Sequence, residues 1–416
     1  MSSHSLFEHR QNFYLTPSPA ARGAVVFCLL AGVVAFVMGM VTGEQVRTWG
    51  SFILNLWFFF ALAIGGVAFS AMQDVIGAKW GRPIIRLHES FGAFLPVGAA
   101  GIILFLAAIK FDLGKANEVY SWIKDPHMLD HFWGKRTWLQ ENFMVARDSF
   151  AVIAIMLLAG WQYRHKLVRD RAFVAGQREE AAKLGANAKH SLRHWSAPVL
   201  VIYSILFSLL AFDLLMSLSP LWFSTLWAGW AFALMMQTLM ATMLIFMFAL
   251  KGSNIGSVIG QAQFHDIGKM MHGFTIFYAY LTYAHILTYW YGNVPEETEY
   301  FIHRLHAPWT YLLVISPVLS FLIPLFAMIP KASKWTSAIA IPIAVMILFA
   351  QWLTMIIVVM PELVDADRWK FPWLEAGLFL GFLGLFLMMI FRFGKTNPMV
   401  AVGDPLLAEA LAEAHH

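Results

Sequence analysis

Ten uninterrupted apolar runs constrain this chain more than any other feature. They lie near residues 22–42, 50–73, 88–110, 142–163, 196–217, 222–250, 268–290, 307–329, 335–360 and 372–392. A helix needs about 20 apolar residues to cross a hydrocarbon core of roughly 30 Å. Inside that core every backbone polar group must be satisfied within its own segment, so such runs fold as helices. Composition points the same way, since 59% of the residues are hydrophobic and only 13% are charged, against roughly 25% charged in soluble domains. The expected fold class is an all-α polytopic membrane protein with ten transmembrane helices. The first run has no A-x-A-like site after it and is longer than a signal-peptide core, so it is expected to be retained as a helix.

The only cysteine, Cys28, lies inside the first run. No disulfide framework, Cys-rich zinc site or Cys-ligated iron–sulfur cluster can be built from this chain. Lys and Arg on alternate loops set the expected orientation. The N-terminal segment, the even-numbered loops and the tail hold 19 of them, eight between Arg164 and Arg193, and the odd-numbered loops hold 8. Both termini are therefore expected on the cytoplasmic side. Because the net charge of +4 follows from this topology signal, no nucleic-acid partner is expected.

The loops near 111–141 and 164–195 are too short for a domain with its own core. The tail should form a short surface helix, with Asp404 as cap and Pro405 at its first position. DVIGAKWGRPIIRLHESFGAF (74–94) aligns without gaps on SVIGQAQFHDIGKMMHGFTIF (257–277), an offset of 183. Arg86 falls on Lys269, and Glu89 on His272. The two copies lead into helices three and seven, a separation that preserves direction across a membrane and implies two parallel four-helix bundles. The expected organisation is an N-terminal segment 1–21, flanking helix 22–49, first bundle 50–217, second bundle 222–360, flanking helix 371–393 and tail 394–416.

Ionisable groups at membrane depth are costly and are functional candidates by default. On the cytoplasmic side they are Asp74, His88, Glu89, Asp266, Lys269 and His272. On the opposite side are Arg147, Asp148 and Asp213. His265, Lys269 and His272 share one helical face, whereas Tyr278, Thr282, His285 and Tyr289 form a stripe turned to another. The polar track thus changes face near mid-membrane, as two water-accessible half-paths of a proton relay would require. The structural alternatives are that Asp74, Arg86, Asp266 and Lys269 snorkel to the interface or pair with one another, and that Arg147 and Asp148 hold separate structural partners. Asp213 and Glu89 are the strongest candidates, each expected to lack an oppositely charged neighbour on its own helix turn. His272 and His285 cannot hold two stacked haems, because their 13-residue step turns the second by about 140° at 3.6 residues per turn.

FDLLMSLSPLWFSTLWAGW (212–230) and HDIGKMMHGFTIFYAYLTYAHILTYWYGNVPEETEYFIHR (265–304), together with ten expected helices in two bundles, resemble the NrfD-like membrane subunits of alternative complex III, a quinol:cytochrome c oxidoreductase. The resemblance covers nearly the whole chain. It implies a subunit of a bacterial inner-membrane respiratory complex that conducts or translocates protons and is not catalytic alone. It also implies partners: a second NrfD-like subunit, an iron–sulfur subunit, c-type cytochrome subunits, lipids and a terminal oxidase. Haem c and iron–sulfur clusters would belong to those partners, quinol to the complex, and no cofactor or metal to this chain. The main alternative is a quinone-binding NrfD-like anchor of a molybdopterin-type oxidoreductase, with a polar pocket around Arg147, Asp148 and Asp213. A haem-binding cytochrome b and a secondary transporter fit less well.

Overall fold

The computed structural model describes residues 13–130, 133–369 and 371–413; the start of the expected segment 1–21 and the last positions of the expected tail 394–416 lie outside them. Among the described residues all regular structure is helical. The long helices are α1 (Pro19–Val41), α2 (Gln45–Ile76), α3 (Ile85–Lys110), α4 (Glu141–Val174), α5 (Arg178–Leu214), α6 (Trp227–Leu250), α7 (Gln261–Gly292), α8 (Trp309–Ala327), α9 (Ser337–Val359) and α10 (Trp373–Thr396). Among the described residues, nine helices are long and apolar enough to cross a membrane, which is the architecture of a multi-pass membrane protein. The remaining long helix, α7, has 32 residues, ample length for a span, but its Lys, His and Tyr content makes it less apolar.

Helix ends follow local chemistry. Ser18 caps α1 by accepting from the Ala21 amide at 3.1 Å, with Pro19 in the first turn. α2 stops at Gly77, whose φ of 62° suits a residue without a Cβ. The charged stretch expected as the loop 164–195 is instead helical at both ends, α4 running on to Val174 and α5 starting at Arg178. Apolarity marks the part of a helix that meets lipid, whereas the backbone ladder continues wherever hydrogen bonds can form. The tail helix runs from Pro405 to Glu413, and the Asp404 carboxylate accepts from the Leu406 amide at 3.0 Å.

α2 is buried along almost its whole length because it touches α3, α5, α6, α9 and α10. α4 closes against α3 and α5, while α7 packs on α6 and α8, and α9 on α6 and α8. α1 leaves this core and lies along α10. Leu15 N donates to Gly394 O and Met399 N to Phe13 O, both at 2.8 Å, so the two chain ends meet at one end of the stack, the tail end.

Small residues bring α1 and α10 together. A Cβ built on Gly32 would stand 2.4 Å from Gly381 Cα, and one on Gly377 would stand 2.5 Å from Ala35 Cβ. Close approach of this kind supplies the van der Waals contact that holds helices together where lipid removes the hydrophobic drive. Gly381→Val is expected to force the backbones apart and cost about 1–3 kcal/mol, as overpacking does. Thermal unfolding of the purified protein in detergent checks this, and an unchanged midpoint would show that α1 is not clamped by this contact.

Candidate functional site

The largest group of buried charges lies at the tail end, where α2, α3, α4 and the tail converge. Helical spacing assembles it: Ser70, Gln73 and Asp74 lie on one face of α2, Arg86 and Glu89 one turn apart on α3, and Lys166, Arg169 and Asp170 within one turn of α4. Lys166 Nζ stands 2.5 Å from Asp74, 2.7 Å from Glu89 and 2.9 Å from Ser70 Oγ. Arg86 bridges Glu89 and Asp170. Arg82, from the turn after α2, reaches Asp74 at 2.9 Å and Asp404 at 3.3 Å. Arg169 pairs with Asp170 at 2.9 Å and with Asp404 at 3.5 Å. Four acids thus meet four bases, all buried. Neutrality is what makes the arrangement tolerable, since an unpaired buried ion costs several kcal/mol.

Glu89 therefore does have an oppositely charged neighbour on its own turn, Arg86, contrary to the expectation above. Asp74 is ion-paired too, rather than free. His88 is fully buried, but its Nδ1 meets Ile84 O at 3.1 Å and its ring lies 4.6 Å from Phe69, so it stands beside the ionic group without joining it. Lys166 and Arg169 carry no depth signal because they sit in the basic stretch expected as the loop 164–195, and Asp170 lies in the same stretch. Asp404 is the expected helix cap and, in addition, an ion-pair partner of Arg82 and Arg169.

Burial alone would raise the Asp404 carboxyl, but Arg169 and Arg82 outweigh it and hold this tail residue below the usual carboxylate range. A depressed folded-state value stabilises the docked tail above the ordinary carboxylate range, and the contribution is lost as pH falls through the depressed value. Acidification is therefore expected to release the tail helix, seen as faster amide exchange at residues 404–413. Asp404→Asn should show fast exchange already at neutral pH; tail exchange insensitive to both changes would mean that other contacts hold it.

At the opposite end, the Arg147 guanidinium lies 2.7 Å from Asp213 and 4.0 Å from Asp148. Asp213 also accepts from Trp138 Nε1 at 2.8 Å, and Arg147 stacks 3.9 Å from the Trp138 ring. Asp148 is fully buried and its oxygens find no hydrogen-bond donor among the described residues. The adjacent Arg147 and Asp148 thus share one cluster with Asp213 rather than serving separate partners. Between the two charged groups the inner face of α4 is apolar, through Ala151, Val152, Ile155 and Ala159. The interval from Asp148 to Gln162 spans about 21 Å at the helical rise.

Polar groups fill the middle of α6–α9 instead. Gln237 Nε2 donates to Thr275 Oγ1 at 2.9 Å and to Ser320 O at 2.7 Å, and Gln351 donates to Gln237. Tyr278 faces Thr354 at 3.4 Å, Thr354 contacts Ser316 at 2.6 Å, Thr282 accepts from Trp230 at 3.0 Å, and His285 Nε2 meets Ser224 at 2.9 Å. Tyr278, His285 and Tyr289 lie on the buried face of α7 with Thr282 beside them, whereas Lys269 is exposed and His265, Asp266 and His272 are half-buried on another side. The repeat-aligned partners Glu89 and His272 thus differ in surroundings, one in a closed ionic group and one near the surface. Sequence reading missed Gln237 and Gln351, because an uncharged amide in an apolar run carries no depth signal of its own.

A cavity of about 390 Å³ opens beside this stripe, lined by Trp227, Trp230, Tyr278, His285, Tyr289 and Thr354 among others. Trp222 stacked on Tyr300 at 4.0 Å, with Arg304 over Tyr300 at 3.5 Å, forms its far wall. Burial pushes the Tyr300 hydroxyl up to about 12, so this wall stays a neutral phenol at physiological pH. No group of three or more His, Cys, Asp or Glu side chains is placed to hold a metal among the described residues. Comparison with protein-family models finds no match, and comparison with curated proteins finds no significant match either.

Proposed function

We propose that this chain is a proton-conducting, integral membrane subunit of a quinol:cytochrome c or quinol:oxidase oxidoreductase complex in a bacterial inner membrane, most like the second NrfD-like subunit of alternative complex III, the ActF subunit. The observation that carries the proposal is the polar stripe along α6–α9, made of three hydrogen-bonded groups, Gln351–Gln237–Thr275, Tyr278–Thr354–Ser316 and His285–Ser224, against otherwise apolar helices, with His285 and Tyr278 as groups able to pass a proton. In this reading α7 is the tenth span, α2–α5 and α6–α9 form two parallel four-helix bundles, and α1 and α10 flank them. The pairwise packing of the helices supports that division, as does the bond from Gln263 Nε2 to Trp80 O at 3.2 Å, which joins positions equivalent at the offset of 183. The tail end with its basic residues would face the cytoplasm.

The ionic group around Lys166 and Glu89 would deliver protons from the cytoplasmic side, and Asp148 with Arg147 and Asp213 would discharge them outside. The apolar interval on α4 argues that the crossing itself runs through α6–α9. Electrons would pass through an iron–sulfur subunit and c-type cytochromes outside the membrane, so haem c and the clusters would be theirs. Purification of the chain with its partners should recover both cofactor types and a second subunit of similar helix content. Recovery of the chain alone, or with a molybdopterin protein, would overturn the assignment to this complex.

A second reading has its own support. The aromatic cavity beside His285 suits a flat, lipid-soluble ring with hydrogen-bonding oxygens, as a quinone-binding anchor of a molybdopterin-type oxidoreductase would require. Its location in α6–α9 differs from the expected pocket around Arg147, Asp148 and Asp213.

A further inference from the structure

A groove of about 450 Å³ runs along α3, α4 and the end of α10, near the tail end. Its floor is apolar, formed by Leu95, Pro96 and Met156 with Gly92 and Gly160. A Cβ added at Gly160 would meet nothing within 4 Å, so the floor is open there. The Tyr163 hydroxyl lines the groove; Tyr163 is only 8% exposed, and its oxygen finds no hydrogen-bond partner among the described residues.

Two arginines, Arg164 and Arg171, form the rim. They stand seven residues apart on one face of α4, about 10.5 Å along the axis. Neither has a carboxylate partner among the described residues: Arg164 makes no ion pair, and Arg171 is held only by Asn397 Oδ1, with Nη2 at 2.7 Å. The contrast lies on the same helix, where Lys166 and Arg169 are each matched by a carboxylate. Two unmatched guanidiniums above an apolar trough complement an anionic head group carrying a hydrocarbon chain. A soluble anion would leave the trough empty, and a zwitterionic lipid would bring its own cation to the rim.

We propose that this groove is a binding site for an anionic phospholipid, its phosphate on Arg164 and Arg171 and an acyl chain over Met156 and Gly160. The site rests on the multi-pass membrane architecture and is independent of proton conduction. The test uses the full chain purified in detergent, titrated with phosphatidylglycerol, with phosphatidylcholine of the same chains, or with inorganic phosphate, and read by native mass spectrometry. Phosphatidylglycerol is expected to bind in preference to phosphatidylcholine. Arg164→Gln with Arg171→Gln should weaken it roughly tenfold or more while leaving phosphatidylcholine unchanged. Gly160→Leu, which puts a side chain into the trough without altering charge and whose Cβ meets open space, should weaken phosphatidylglycerol as well. The proposal is overturned if the arginine variant keeps the preference, if Gly160→Leu binds as wild type, or if inorganic phosphate displaces the lipid at equal concentration.

Discussion

Lys166→Met is expected to lower the stability of the folded protein by about 3–5 kcal/mol, the usual cost of removing one partner from a buried ionic group. Lys166 Nζ lies between Asp74 and Glu89, at 2.5 and 2.7 Å, and all three side chains are buried. Asp74 would keep Arg82 and Glu89 would keep Arg86, so the loss is not of every contact. What changes is the balance, because four buried acids would face three bases in a medium that solvates the surplus charge poorly. Glu89→Gln added to Lys166→Met restores neutrality and should recover more than half of the loss. Chemical unfolding in detergent at neutral pH measures both. A single variant within about 1 kcal/mol of wild type would mean that the group is hydrated and its pairs behave like surface ones.

On the proposed proton path, Asp148→Asn is expected to assemble normally and to slow proton release on the outer side by roughly a hundredfold or more, the lower end for loss of a proton-transferring group. Arg147 and Trp138 both engage Asp213, which makes Asp213 the counter-ion of a fixed pair. Asp148, buried beside that pair with the same cation at 4.0 Å and no donor to its oxygens among the described residues, is the carboxyl that the proposed path uses to take and give a proton. Asn keeps the size but cannot ionise near neutral pH. Asp213→Asn should instead cost stability as well as proton release, since it strips Arg147 of its partner. In reconstituted vesicles the measure is the rate of proton release outside at matched electron transfer. Equal rates from wild type and Asp148→Asn would remove Asp148 from the path.

The apolar runs placed the helices well, because burial in lipid leaves a signal in every residue of a span. α1, α3 and α10 begin or end within a few residues of the expected limits, whereas α4 and α5 extend far beyond theirs. Their charged ends carry no apolar signature, so Lys166 and Arg169 read only as part of the basic stretch used for the expected orientation, and Asp170 lies between them and the rest of it. Asp74, Glu89, Asp148 and Asp213 stood out as charges in or at the ends of apolar runs, but most of their cationic partners lie on other elements: Lys166 on α4 for Asp74 and Glu89, Arg82 in the turn after α2 for Asp74, and Arg147 on α4 for Asp213. Such pairings depend on which helix faces meet, which one sequence does not encode locally. The α7 stripe was legible because a single helix carries it, and spacing alone fixed the shared face.

The contact between α1 and α10 has a consequence for how the chain is made. Gly32 meets Gly381, and the backbone at Phe13 and Leu15 bonds to that at Met399 and Gly394. α1 thus obtains its partner only once α10, more than 300 residues further along, has been made, a separation that makes this closure a late step. Until then the face of α1 that carries Val25, Gly32 and Ala35, buried in the finished molecule, has only lipid or a membrane chaperone for company. Any nascent chain released before residue 396 would carry that face unpaired, giving surveillance proteases a mark by which to tell an unfinished molecule from a finished one.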